Sequence, residues 1–210
     1  MLGPCLGCRP GITSVLCAPL GRGRLQGSLP PPQPARRLVI MTVERTEPPL
    51  MAQERQMLGA FLDFYRDTLA LKCDGLTSDQ LRELAVPPSG MSLLGLVRHM
   101  AGGEHQWFTL VLGGEQEEQA PYPYYTDDNP DADFDDADVA DVTEAFETWR
   151  AKCAEARARV AAAPSLDVTG TQDGKDFSLR WIMIHMIEEY ARHCGHADLL
   201  RERIDGTVGV

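Results

Sequence analysis

Residues 177–203 read FSLRWIMIHMIEEYARHCGHADLLRER, and this stretch decides the fold. No proline interrupts it, and its apolar residues recur at helical spacing, so it predicts one long helix. It holds His185, His193 and His196, three of the five histidines in the chain. His185, Glu189 and His193 fall at i, i+4 and i+8 and therefore line one side of that helix. The expected position of this side is against the core. Titratable groups there need partners, and a metal ion is the first candidate.

Working back from this helix, residues 167–176 contain Gly170 and Gly174 and predict a turn-rich link. Residues 139–162 predict another helix, with Val142, Ala145, Phe146, Trp149, Cys153, Ala156 and Val160 on one face and Pro164 beyond its end. Residues 92–112, SLLGLVRHMAGGEHQWFTLVL, predict a third, capped by Ser89 or Ser92 and closed by Gly113-Gly114. His99 sits among its core residues Leu96, Val97, Met100, Trp107, Phe108 and Val111. Gly102 and Gly103 each weaken that helix by about 1 kcal/mol but permit close approach of another helix or a ligand. Residues 49–72 predict a fourth long helix, with Met51, Met57, Leu58, Phe61, Leu62, Tyr65 and Leu69 as its apolar stripe. Thr77-Ser78-Asp79-Gln80 is a capping-box pattern opening a short helix to Ala85. Four long amphipathic helices without a strong strand pattern predict an all-α four-helix bundle. The long connection between the second and third permits a crossover.

That connection, residues 115–141, carries the acidic run TDDNPDADFDDADVAD. Asp131, Asp133 and Asp135 have the alternation that opens a calcium loop. Asp136 stands where such a loop needs Gly, and Val142 where it needs Glu, so a solvated acidic loop is expected instead.

The net charge of −11 is unevenly spread. Residues 1–40 contain five arginines and no Asp, Glu or Lys, leaving −16 on residues 41–210. So acidic a body repels phosphates, which excludes nucleic acid as a partner. No apolar run is long enough for a membrane span. Residues 1–40 are Gly-, Pro- and Arg-rich without periodicity and are expected to be a disordered or mis-annotated extension. Met41 then reads as the true start, and residues 41–210 as one domain. Cys5-x-x-Cys8 lacks the second pair a metal knuckle needs. Cys73, Cys153 and Cys194 are scattered and odd in number, which points to reduced thiols and a cytoplasmic location.

Glu189-x-x-x-His193 spaces two ligands one turn apart, and His99 can face them from across a bundle. Two His and one carboxylate with open positions is the donor set of a catalytic divalent-metal site. Each His taken alone fits a hydrogen-bonded core residue equally well, so spacing leaves both readings open.

Two stretches, MSLLGLVRHMAGGEHQWF (91–108) and HMIEEYARHCGHADLLRE (185–202), carry a resemblance to the DinB/YfiT-like superfamily. Within it the chain resembles the actinobacterial mini-circle-type branch of uncharacterised proteins, related to the N-terminal domain of mycothiol-dependent maleylpyruvate isomerase. The resemblance spans about residues 50–204. It implies a four-helix bundle, a homodimer, and a metal held by His99, Glu189 and His193. His185 and His196 are alternative ligands or supports of that shell. The metal it implies is zinc, with nickel, iron or manganese as substitutes. It further implies a low-molecular-weight thiol cosubstrate, mycothiol in kind, and an electrophile, joined by a metal-dependent S-transferase or isomerase. A metal-binding stress or sensor protein, or a helical interaction protein, is the alternative.

Overall fold

The computed structural model describes residues 44–126 and 128–209. The readings of residues 1–40, of Met41 as the start, and of Cys5, Cys8 and Cys17 lie outside the described residues. Four long helices make up most of the rest: α1 (Glu54–Cys73), α3 (Leu93–Glu104), α5 (Val142–Ala162) and α6 (Leu179–Asp205), with short helices α2 (Ser78–Arg82) and α4 (Ala132–Asp135) between them. The described residues are all-α apart from one hairpin, as the helical periodicities predict.

Local chemistry sets the ends. The Thr77 hydroxyl accepts from the Gln80 amide while the Gln80 side chain accepts from the Thr77 amide, the full capping box. Ser92, Asp141 and Ser178 accept from the third amide beyond them and so start α3, α5 and α6. The first helix starts later than its apolar stripe predicts, because Gln53 is extended and makes no side-chain cap. Met51 is consequently 91% exposed and not part of the core.

Helix α1 packs on α6, α3 packs on α5, and α3 also meets α6. Leu62 and Leu69 from α1, Leu96 and Met100 from α3, Phe146 from α5, and Ile182 and Met186 from α6 bury completely or nearly so. Burial of each such side chain contributes roughly 1.5–3 kcal/mol.

Two departures from the sequence expectation shape the site. The predicted second helix is not α-helical throughout: beyond Glu104, residues His105–Leu112 form a π-helix. Its wider turn keeps Phe108 and Val111 in the core but leaves Trp107 half-buried toward α6. The predicted link at 167–176 is instead an antiparallel hairpin, β1 (Thr169–Gln172) with β2 (Lys175–Ser178), in which Gln172 pairs with Lys175. Asp173 and Gly174 both have positive φ, the requirement of a two-residue turn whose twist matches the strands. Gly170 fits because a Cβ there would stand 2.0 Å from the Val111 carbonyl oxygen. No helix among the described residues is long and apolar enough to cross a membrane.

Candidate metal centre

Helices α3 and α6 bring His99, Glu189 and His193 together. Each offers a ligand atom, and these atoms lie within 4.8 Å of one another. His193 Nε2 is 3.5 Å from Glu189 Oε2, and the His99 and His193 rings are 4.8 Å apart at 64°. Ligands about 2.1 Å from a tetrahedral zinc ion lie about 3.4 Å apart, so the Glu189–His193 pair already has the required spread. Side-chain exposure rises from 11% at His193 through 22% at Glu189 to 38% at His99. The cluster is therefore closed on the His193 side and open to solvent beside His99.

Each imidazole has its outer nitrogen occupied. His99 Nδ1 is 2.7 Å from Asp133 Oδ2, so the carboxylate accepts the Nδ1 proton and leaves the lone pair on Nε2. His193 Nδ1 is 3.2 Å from His196 Nδ1, which directs the other nitrogen, Nε2, toward Glu189. Metal-ligating histidines commonly carry such partners on the far nitrogen, because the partner fixes tautomer and ring orientation. Burial, reinforced by the nearby His99, His196 and Arg192, lowers the His193 pKa from its usual value to about 3. His193 is thus neutral at pH 7 and can offer a lone pair without first losing a proton. Two imidazoles and a carboxylate, with Asp133 behind one of them, favour a cation between them. The donor set fits a divalent metal.

The stripe read from the sequence is displaced from the core. The buried line of α6 runs through Ile182, Met186, Tyr190 and His193, while His185 and Glu189 are only half-buried along its edge. His185 clusters with Glu188 and Glu189 instead of with His99 and His193. Its ring stacks on Trp181 at 15° and meets Trp107 edge-on, both at 4.8 Å. Arg192 pairs with Glu188 and lies 3.6 Å from Glu189. The Cys194 thiol is buried, donates to the Tyr65 carbonyl, and has its pKa pushed up by burial to about 12. Tyr124 lies under the Arg98 guanidinium at 4.0 Å, with its hydroxyl directed to Glu144.

Two residues central to the site region escape a sequence reading. Asp133 is one of many acids in a run that looks uniformly solvated; nothing in that run distinguishes it. Glu104 is the other, and it is 1% exposed. Arg66 Nε and Nη2 donate to its two oxygens, both at 2.7 Å, and Tyr190 Oη–H donates at 2.8 Å. Trp149 Nε1 in turn donates to Tyr190 at 2.8 Å. Burial opposes the Arg66 charge, yet the Glu104 carboxylate holds its pKa well above the usual value. A charged Glu one turn from both Met100 and Phe108, on the predicted core face, was the available signal.

A family model described as Mycothiol-S-transferase matches residues 57–206, which include all three clustered residues. No curated protein matches the chain.

Proposed function

The chain belongs to the Mycothiol-S-transferase family, a DinB/YfiT-like family, and from that premise we propose that it is a divalent-metal-dependent S-transferase acting on a mycothiol-type low-molecular-weight thiol. The observation that carries this reading is the convergence of His99, Glu189 and His193, with the outer nitrogen of each imidazole already occupied. These three residues hold the ion. A divalent ion bound there supplies the Lewis acidity that lowers the pKa of a thiol.

The three cysteines among the described residues do not serve as the nucleophile. Burial pushes the Cys73 and Cys194 thiols up to about 12, and burial beside Glu104 raises Cys153 further from the thiolate form. The reactive sulfur therefore comes from a cosubstrate. The open side beside His99 admits it. His185, held between Trp107 and Trp181 and one turn from Glu189, takes the thiol proton. The sulfur then bonds to the electrophilic carbon, and the leaving group departs with the electron pair of the broken bond. Trp181, 43% exposed on the same side of α6, offers a flat apolar wall to the electrophile.

Elemental analysis of the purified chain and of the Glu189→Ala/His193→Ala double variant tests the ligand set. The expectation is about one zinc per wild-type chain and none in the variant; equal metal content in both overturns it. Incubation of the zinc-loaded protein with mycothiol and 1-chloro-2,4-dinitrobenzene tests turnover, read as thioether and chloride formed. Metal uptake without thioether would leave a binding or sensor protein.

A further inference from the structure

Helix α3 presents Gly95, His99 and Gly102 at i, i+4 and i+7, one face of the helix. The acidic segment between the π-helix and α5 rests on that face. A Cβ on Gly95 would stand 2.7 Å from the Phe134 ring, and one on Gly102 would stand 2.9 Å from the Tyr122 ring. The two glycines are therefore seats for two aromatic side chains of the segment, one on each side of His99. Phe134 also lies against the His99 ring, 5.2 Å between centroids. Arg98 fastens the same place: Nε donates to the Asp133 carbonyl at 3.0 Å and Nη2 to the Ala132 carbonyl at 2.8 Å. Between these fixings Asp133 Oδ2 meets His99 Nδ1, and Asp133 Oδ1 accepts the Phe134 amide at 3.0 Å, so both carboxylate oxygens are engaged.

We infer that Asp133 is a positioning residue for the metal centre, and that seating of the segment on Gly95 and Gly102 sets how tightly the centre binds its ion. This rests on the metal reading above and adds to it a residue and a segment outside the three ligands. The carboxylate fixes the Nδ1–H tautomer and makes Nε2 a better donor. Binding and seating reinforce each other: whatever unseats the segment weakens the ion, and the ion in turn holds the segment down by the same factor.

The test uses the full-length chain stripped of metal, with zinc affinity measured by competition against a chromophoric chelator. Asp133→Ala is expected to weaken zinc by about 10–100-fold. Asp133→Asn, which keeps an oxygen acceptor but not the charge, is expected to fall between Asp133→Ala and wild type. Gly95→Val removes no polar group yet collides with Phe134 at 2.7 Å, with a lesser contact to the capping Ser92 Oγ at 3.2 Å, and is expected to weaken zinc as well while helix content by circular dichroism is kept. Zinc is expected to slow amide hydrogen exchange across residues 120–136 in wild type and not in Asp133→Ala. Wild type binding zinc while Asp133→Ala and Gly95→Val bind it within twofold as tightly overturns this inference alone. Wild type taking up no zinc overturns the metal reading and this inference with it.

Discussion

Two polar clusters lie about one turn apart on the same pair of helices, and they are built to opposite ends. Glu104 on α3 and Tyr190 on α6 belong to one; His99 on α3 and Glu189 on α6 belong to the other. The Glu104 cluster takes a residue from every long helix, adding Arg66 from α1 and Trp149 from α5, and each of these polar groups is answered by another inside the protein. Only Arg66 also reaches outward, its Nη1 donating to Asp63 at 2.8 Å. The His99 cluster draws on α3, α6 and the acidic segment, opens to solvent, and points three electron-pair donors at one another. A closed, internally paired network fixes the rotation of four helices. An open, electron-rich one is left wanting a cation. Since Tyr190 adjoins Glu189, the closed cluster also sets the register in which Glu189 faces His99.

The contrast breaks most easily at its closed half. Glu104→Ala leaves the buried Arg66 with the half-exposed Asp63 as its remaining counter-charge and is expected to cost about 3 kcal/mol in urea unfolding, with or without zinc. A loss below about 1 kcal/mol would mean that the two clusters are not different in kind. His99→Ala is expected to behave in the opposite way. Its metal-free stability should stay near wild type, while it forfeits the zinc stabilisation of about 2.7 kcal/mol expected at a hundredfold excess over Kd. Melting curves at several zinc concentrations read this directly. Tyr190→Phe removes a hydrogen bond to a carboxylate and leaves the Trp149 indole N–H without its acceptor, for an expected loss of about 2 kcal/mol.

The smallest effect is a pH dependence belonging to the open half. Unfolded His193 takes up its proton near pH 6.5, whereas the folded protein holds it neutral down to about 3. Between those values the unfolded chain binds more protons, so metal-free stability falls as pH falls. The expected change from this residue is about 1 kcal/mol from pH 6.5 to 5.5. Denaturant titrations of wild type and His193→Gln at both pH values should differ by that amount; parallel pH curves would exclude the assigned burial of His193.

Much of this architecture was legible because it is local. Thr77 and Gln80, and Ser92, announce their helix ends, and both act as caps. Glu189 and His193 are neighbours on any helix, whatever surrounds it. The hairpin was not legible: its strands are four residues each and alternate too little to register as periodicity, so residues 167–176 read only as a turn-rich link. The π-helix left no such mark. Within it Thr109 reaches Glu155, and His105 buries against Ala120 and Tyr122, contacts that helical periodicity does not report.

The sequence by itself determined the all-α character of this chain, its helix ends and the paired Glu189 and His193, because a helix fixes the relation of residues three and four apart. Tertiary packing alone decided that His99 faces that pair, that Asp133 and no other acid of its run stands behind His99, and that Glu104 is buried while Glu189 is not. Those relations join residues dozens of positions apart, and only the seating of one helix or loop on another sets their distance.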